Sequence, residues 1–305
     1  MDGAMSASRF NSLATTSPMV VAIVGVMLGC VMDALLKHLG VVYSVILIAT
    51  LRYLFGIVFS GAAVAAMRLK LPTWSRLRPH ALRSIVITGS SLLFVNCLVI
   101  LPIAEATVLI FCAPLMIAPL ARWLLGEKLR PSAMLALLVG FAGVLITVQG
   151  GDAGHENARR LEGIASGLGA AVCYALSMVL LRKLTRNDHI VTTAFLSNVF
   201  PSIYLLPFAI ALGAPPALAD LPVFVLTGLI GFGMWFMLAW AYSRAQAQNV
   251  AAAEYTALIW SAALGYVFFA EVPRWQVWAG GAVVVAGVML SAWEARRRKV
   301  RGIMD

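Results

Sequence analysis

The stretch Leu101–Pro131 reads LPIAEATVLIFCAPLMIAPLARWLLGEKLRP, and it determines how the rest of the chain is interpreted. Its segment Ile103 to Leu125 is apolar and, at about 20 residues, long enough to cross a bilayer as a helix. Pro114 removes a backbone hydrogen bond inside this segment, which predicts a kink. A helix of a soluble protein seldom runs this far without a polar face. The stretch therefore indicates a membrane protein.

The composition agrees with a membrane protein. Of the 305 residues, 61% are hydrophobic and 12% are charged, and the mean hydropathy is +0.91. Soluble domains are about half apolar and about a quarter charged. The four cysteines lie in apolar runs without close spacing. No disulfide framework or metal site is therefore predicted from them.

Ten apolar runs divide the chain, each about as long as a bilayer-spanning helix. The connections are mostly short, so we expect neighbouring helices to pack antiparallel. The runs are Pro18 to Leu39, Tyr43 to Ala66, Leu82 to Leu101, Ile103 to Leu125, Ser132 to Val148, Gly163 to Leu181, Val191 to Leu212, Pro222 to Tyr242, Val250 to Ala270 and Trp275 to Trp293.

The positions of lysine and arginine predict the orientation. If both termini are cytoplasmic, 18 of the 23 basic residues lie in inner segments, four lie in outer segments, and Arg52 lies within a span. This count places Arg83 in an inner segment. The excess follows the positive-inside rule, so the net charge of +10 is an orientation signal and does not indicate nucleic-acid binding. We expect a multi-pass protein of the bacterial inner membrane.

The two halves of the chain repeat each other. At an offset of 144 residues, the turn at Gly126-Glu127 matches Ala270-Glu271, and Phe111 matches Tyr255. Each half, 18–148 and 163–293, holds five predicted spans, and an odd number inserts the second half upside down. Inverted repeats of this kind are typical of secondary transporters.

Two stretches carry a resemblance to a known family. LPIAEATVLIFCAPL followed by GEKLRP, and AAAEYTALIWSAALGYVFFAE in the ninth span, resemble the drug/metabolite transporter superfamily, in particular its ten-helix bacterial members with two EamA-type halves. Ala270-Glu271 departs from the Gly-Glu common in the family. The resemblance implies an all-α integral membrane fold, two inverted five-helix repeats around a central cavity, cytoplasmic termini, alternating access and no cofactor.

Charged residues inside spans are the first candidates for a substrate site, because burying a charge in a bilayer costs several kcal/mol. Asp33, Arg52 and Glu254 qualify. Asp33 and Arg52 are expected to pair, either as part of a substrate site or as a structural ion pair that fixes the hairpin of the first two spans. Bonding of Asp33 to Lys37, one helical turn further on, is an alternative. Glu254 follows three alanines and is expected to face the cavity, where a carboxylate suits proton or amine binding. Glu105 is expected at the outer interface.

Aromatic and polar residues at mid-span complete the predicted site. Tryptophan and tyrosine normally gather at membrane interfaces, so those at mid-span need a polar partner or a wet cavity. Ordinary packing between helices is the alternative for each. The candidates are Trp235, Trp240, Tyr255, Tyr174, Phe111 and Asn96.

These residues favour a secondary transporter of a small organic metabolite, amino-acid-like or similarly amphipathic, with export as the expected direction. A planar neutral solute such as a vitamin, taken up by the same fold, is the alternative. An intramembrane enzyme is disfavoured, because the four histidines lie in loops or at span ends and no hydrolase motif occurs. A structural or lipid-handling protein is a third possibility.

The expected partners are a small-molecule substrate and membrane lipid. Protons are a candidate coupling ion, and a homodimer is a candidate assembly. Metal ions, cofactors and nucleic acid are not expected.

Overall fold

The computed structural model describes residues 17–69, 71–126, 131–149, 156–184, 189–212, 215–244 and 253–300. All the long regular elements in these ranges are α-helices. They are α1 Pro18–Leu39, α2 Val45–Ala66, α3 Trp74–Ile100, α4 Ile103–Ile110, α5 Ala113–Leu125, α6 Pro131–Val148, α7 Glu156–Leu184, α8 Ile190–Leu212, α9 Leu221–Arg244, α10 Ala257–Phe269 and α11 Trp275–Val300.

The helices confirm an all-α membrane protein. Among the described residues, seven helical segments are long and apolar enough to cross a membrane, and one of them, Ile103–Leu124, comprises α4 and α5 together. Three shorter apolar helical segments, Leu137–Val148, Ala257–Phe269 and Trp275–Gly287, fall in the remaining predicted runs.

The packing of the helices follows the inverted repeat. Helix α3 of the first half packs on α7 of the second, and α9 of the second half packs on α1 of the first. Helices α2 and α8, which correspond in the two halves, pack on each other, as do α6 and α11. Exchanging the two halves reproduces this set of contacts. The halves are therefore related by a pseudo-twofold axis, as in transporters built from inverted repeats.

The fourth span is broken where the sequence predicts a kink. Helix α4 ends at Ile110, residues 111–112 form a turn, and Pro114 lies in the first turn of α5. A proline at this position lacks the N–H that would continue the hydrogen-bond ladder. In the ninth span a turn at Tyr255-Thr256 precedes α10. This second break lies 144 residues after the first but has no proline; instead the Thr256 hydroxyl donates to the Ala253 carbonyl at 2.7 Å.

Both broken spans end in the same backbone conformation. Gly126 ends α5 with φ of 68°, and Ala270 ends α10 with φ of 54°. Glycine adopts this left-handed conformation freely, whereas alanine pays about 1 kcal/mol. The turn geometry is thus retained where the sequence departs from the Gly-Glu pattern.

Two names describe the ends of the bundle. The ion-pair side carries Lys37, Glu105, Arg160, Glu271 and Arg274; there α1 and α3 end and α4, α7 and α11 begin. The terminal side is the opposite end, where α1 begins and α11 ends.

Candidate functional site

Asp33 and Arg52 face the same interior region near the ion-pair side. The Arg52 guanidinium donates to Ser91 Oγ at 3.1 Å, and it interacts electrostatically with Asp33 without a direct ion pair in the described residues. A Cβ built on Gly231 would lie 3.7 Å from Arg52 Nη1. Helices α1, α2, α3 and α9 therefore meet around this guanidinium. A direct Asp33–Arg52 pair stays a prediction.

Lys37 is engaged elsewhere and does not pair with Asp33. Its Nζ lies 2.7 Å from Glu271 Oε1 and donates to the carbonyls of Leu98 at 2.9 Å and Leu101 at 2.5 Å. The Lys37–Asp33 alternative is wrong in this structure, because the ammonium is already held by an acid and two carbonyls from both halves of the chain.

Glu254 lies near mid-span, just before the break in the ninth span. Its charge interacts with Tyr255, which follows it, and with Tyr174 of α7. Tyr174 also interacts with the charge of Arg83 on α3. The structure thus brings two predicted residues, Glu254 and Tyr174, together with a third that the sequence analysis placed outside the span.

The assignment of Arg83 to an inner segment is wrong. Helix α3 begins at Trp74, so Arg83 lies more than two turns inside it, and its side chain is only 3% exposed. Arg83 Nη2 donates to Ser197 Oγ of α8. The predicted run, Leu82 to Leu101, already contained Arg83, but the count of basic residues assigned it to the preceding segment because it is the second residue of that run. Sequence alone does not distinguish a buried basic residue at the end of an apolar run from one in the adjoining loop.

Phe111 and Tyr255, which correspond in the two repeats, contact each other. Their ring centroids are 5.6 Å apart and their planes cross at 88°. Since an exchange of the halves maps each position onto the other, the pair lies at the pseudo-twofold axis. The two helix breaks therefore meet at the centre of the bundle, beside Glu254.

The remaining predicted residues are dispersed. Asn96 donates to Glu162 Oε1 at 3.1 Å and to Ser166 Oγ at 3.0 Å, which ties α3 to α7. Trp240 stacks with Arg244, whose Cζ is 4.3 Å from the ring centroid. Trp240 also packs against the cluster of Ala22, Ala241 and Ala253, and Ala253 directly precedes Glu254, whereas the contacts of Asn96 lie elsewhere.

Trp235 lies on α9, four residues after Gly231, whose built Cβ would lie near Arg52. Its side chain is 43% exposed. A contact between Trp235 and the group around Glu254 stays a prediction.

Glu105 lies in the first turn of α4, at the ion-pair end of the fourth span, and its location at the outer interface stays a prediction. Its side chain is fully buried, 2.6 Å from Arg160 Nη2 and 3.6 Å from Arg274 Nη2. Arg160 lies near the start of α7, and Arg274 directly precedes α11, so both belong to the second half. Hydropathy does not predict that either one lies near Glu105. The carboxylate therefore joins the two halves at the ion-pair side.

Comparison with known proteins identifies the family. The sequence profile of the EamA-like transporter family matches residues 16–149 and again residues 161–293. The chain belongs to this family. It is therefore a membrane transporter of small metabolites, and not an enzyme.

Several curated relatives span most of the chain. It is 25% identical over 266 residues to an S-adenosylmethionine uptake transporter of Rickettsia bellii, which covers 87% of this chain and 89% of the relative. It is 28% identical over 254 residues to a riboflavin transporter of Rhizobium johnstonii, covering 81% and 80%. A pseudopaline exporter of Pseudomonas aeruginosa is 25% identical over 193 residues, covering 63% and 66%.

A solved crystal structure has the same fold. It superposes with a TM-score of 0.62 at 20% identity and covers 92% of this chain and 98% of that chain.

Proposed function

We propose that this transporter exports a small zwitterionic, amino-acid-like metabolite across the inner membrane by alternating access. The observation that carries the proposal is the presence of both charge signs in the interior of the bundle: Glu254 and Arg83 each lie within electrostatic range of Tyr174. A zwitterion presents an ammonium and a carboxylate, so it can complement both charge signs, whereas a neutral solute offers no charge to either. One relative is named for S-adenosylmethionine, a compound with an α-amino acid end.

The proposed site comprises Glu254, Tyr255, Tyr174, Phe111 and Trp235. Asp33 and Arg52 extend it toward the ion-pair side. Asn96 and Trp240 have a supporting role: Asn96 bonds to α7, and Trp240 stacks with Arg244 of its own helix, α9. Glu254 is also the group proposed to carry a coupling proton.

We also propose that the terminal side is cytoplasmic and the ion-pair side periplasmic, with repeats bounded at 18–148 and 163–293. The distribution of basic residues supports this orientation. Reporter fusions after Arg296 should be cytoplasmic, and those within 151–157 should be periplasmic. A cytoplasmic signal from residues 151–157 would contradict the proposed ten-span topology.

A planar neutral solute such as a vitamin is the second candidate. The ring pair Phe111–Tyr255 and the exposed face of Trp235 favour it, because stacking surfaces recognise flat molecules. A relative named as a riboflavin transporter adds support.

Transport assays in proteoliposomes separate the two candidates. Purified protein is tested for counterflow of radiolabelled amino acids, nucleosides and riboflavin. Counterflow of one or more amino acids supports the first proposal, whereas counterflow of riboflavin without any amino acid supports the second. Cells that express the protein should release the preloaded substrate faster than cells without it; equal release would argue against export.

A further inference from the structure

We infer that Arg83 binds the carboxylate of the transported molecule. This inference rests on the proposed function and assigns one end of the substrate to a named side chain. It concerns a residue that the count of basic residues assigned to an inner segment and that the structure buries on α3, in contact with α8.

Arg83 is a buried cation that lacks an acidic partner in the part of the chain that the structure describes. Its side chain is 3% exposed, and Ser197 Oγ is its one described hydrogen-bond acceptor. That hydroxyl donates in turn to the Thr193 carbonyl at 2.7 Å, so it is a neutral partner within α8. A guanidinium has five N–H groups, and buried charges in proteins are normally paired.

The Nε of Arg83 strengthens the case for an absent anion. This atom is buried and has no hydrogen-bond partner among the described residues. Nε and one Nη of a guanidinium form the planar fork that matches the two oxygens of a carboxylate. Nη2 is the atom that contacts Ser197, so at least one edge of the group remains available for an anion.

Two tyrosines lie within electrostatic range of the Arg83 guanidinium. They are Tyr53 of α2, which is 4% exposed, and Tyr174 of α7. A phenol is neutral at physiological pH, so neither tyrosine neutralises the guanidinium.

Arg52 is a weaker candidate for the carboxylate site. Its Nε is likewise buried without a described hydrogen-bond partner, but the guanidinium stacks on Tyr53, donates to Ser91 and already has the charge of Asp33 nearby. The anion expected from the substrate is therefore assigned to Arg83.

The test compares each amino acid with its own primary amide. The amide keeps the amine and side chain and removes the carboxylate charge. Binding to the purified protein is measured by thermal stabilisation, using the common L-amino acids and the amide of each one that binds. For the wild-type protein we expect the amide to bind about tenfold more weakly, as for loss of one charge-assisted hydrogen-bond pair.

Variants assign that difference to Arg83. Arg83→Gln should weaken binding of the amino acid by about tenfold and change binding of the amide by less than about twofold. Arg83→Lys, which keeps the charge but not the fork, should retain part of the preference. Arg78→Gln is the matched control: Arg78 lies on the same helix but is exposed, so its loss should change neither ligand.

Three results decide the outcome. Equal binding of acid and amide to the wild-type protein overturns the inference without any variant, as does an unchanged preference in Arg83→Gln. If Arg83→Gln does not fold, the preference for the acid over the amide in the wild-type protein and in Arg83→Lys tests the inference instead. Binding of riboflavin without any amino acid would instead contradict the proposed function itself.

Discussion

Glu105 and its two arginines stabilise the bundle rather than bind substrate. The carboxylate is completely buried at the ion-pair side, and Arg160 is its closest cation. Arg160→Gln would leave the acid with Arg274 alone, so we expect a loss of about 3 kcal/mol, the scale seen when one partner of a buried pair is removed. Thermal unfolding in detergent measures the loss. Arg159→Gln is the control, because Arg159 is adjacent in sequence and exposed; equal effects of the two variants would contradict the assignment.

Glu254 is expected to act in transport and not in folding. Glu254→Gln keeps the shape and removes the charge, so the melting temperature should stay near that of the wild-type protein. Transport of the amino acid should fall by about tenfold, because the amine loses a charged acceptor. If Glu254 also carries a proton, the pH dependence of the rate should flatten. Wild-type rates across the pH range would refute the role.

Asp33 and Arg52 can be tested as a pair. Their charges interact in this structure without a direct contact. Asp33→Asn alone should destabilise the protein, and adding Arg52→Gln should recover about 1 kcal/mol of that loss. A double-mutant cycle on unfolding free energies measures the coupling. Additive losses would show that the two groups are independent.

At the scale of single elements, the break in the fourth span has a defined cause. Pro114→Ala restores a backbone N–H at the start of α5, which would allow α4 and α5 to join. We expect a higher melting temperature and a slower transport rate, since the Phe111 turn would be lost from the axis. Pro119→Ala, further along the same helix, is the control and should leave the break intact. Unchanged transport in Pro114→Ala would mean that the break has no functional role.

The same elements show what sequence can predict. The apolar runs located the spans, and Pro114 located one break, because length and a missing N–H are local properties. The second break at Tyr255-Thr256 has no proline, so only the repeat could have suggested it. Arg83 was assigned to an inner segment and the burial of Glu105 was not predicted, because burial of a charge depends on which helices surround it. Lys37 and Glu271 lie 234 positions apart in the sequence, and no local pattern marks their contact.

At the scale of the whole molecule, the Lys37–Glu271 pair ties the two repeats together at the ion-pair side. Lys37→Gln should loosen this side and expose Leu98, whose carbonyl accepts from Lys37 and whose side chain is fully buried. A cysteine at Leu98, in a background without the native cysteines, should then react faster with an impermeant maleimide. His38→Gln is the control, since His38 is adjacent and exposed. Glu271→Gln, which removes the acid and leaves Lys37 in place, should also speed labelling of the cysteine at position 98. Equal labelling in all variants would show that the pair does not hold the ion-pair side closed.

The reciprocal packing of α3 on α7 and of α9 on α1 affects the free-energy difference between the conformations of the transport cycle. Exchanging the two halves converts the α3–α7 contacts into the α9–α1 contacts. If the same exchange relates the conformation open to one face of the membrane to the conformation open to the other, the two bury similar surfaces and differ little in free energy. The conformational free energy of such a carrier does not favour one direction of transport, so the solute crosses equally readily in both directions. Net flux is then set by the chemical potential of the solute, and of any coupled proton, on the two faces. Export would follow from a higher internal concentration, and the same molecule would run as an importer when the gradient is reversed.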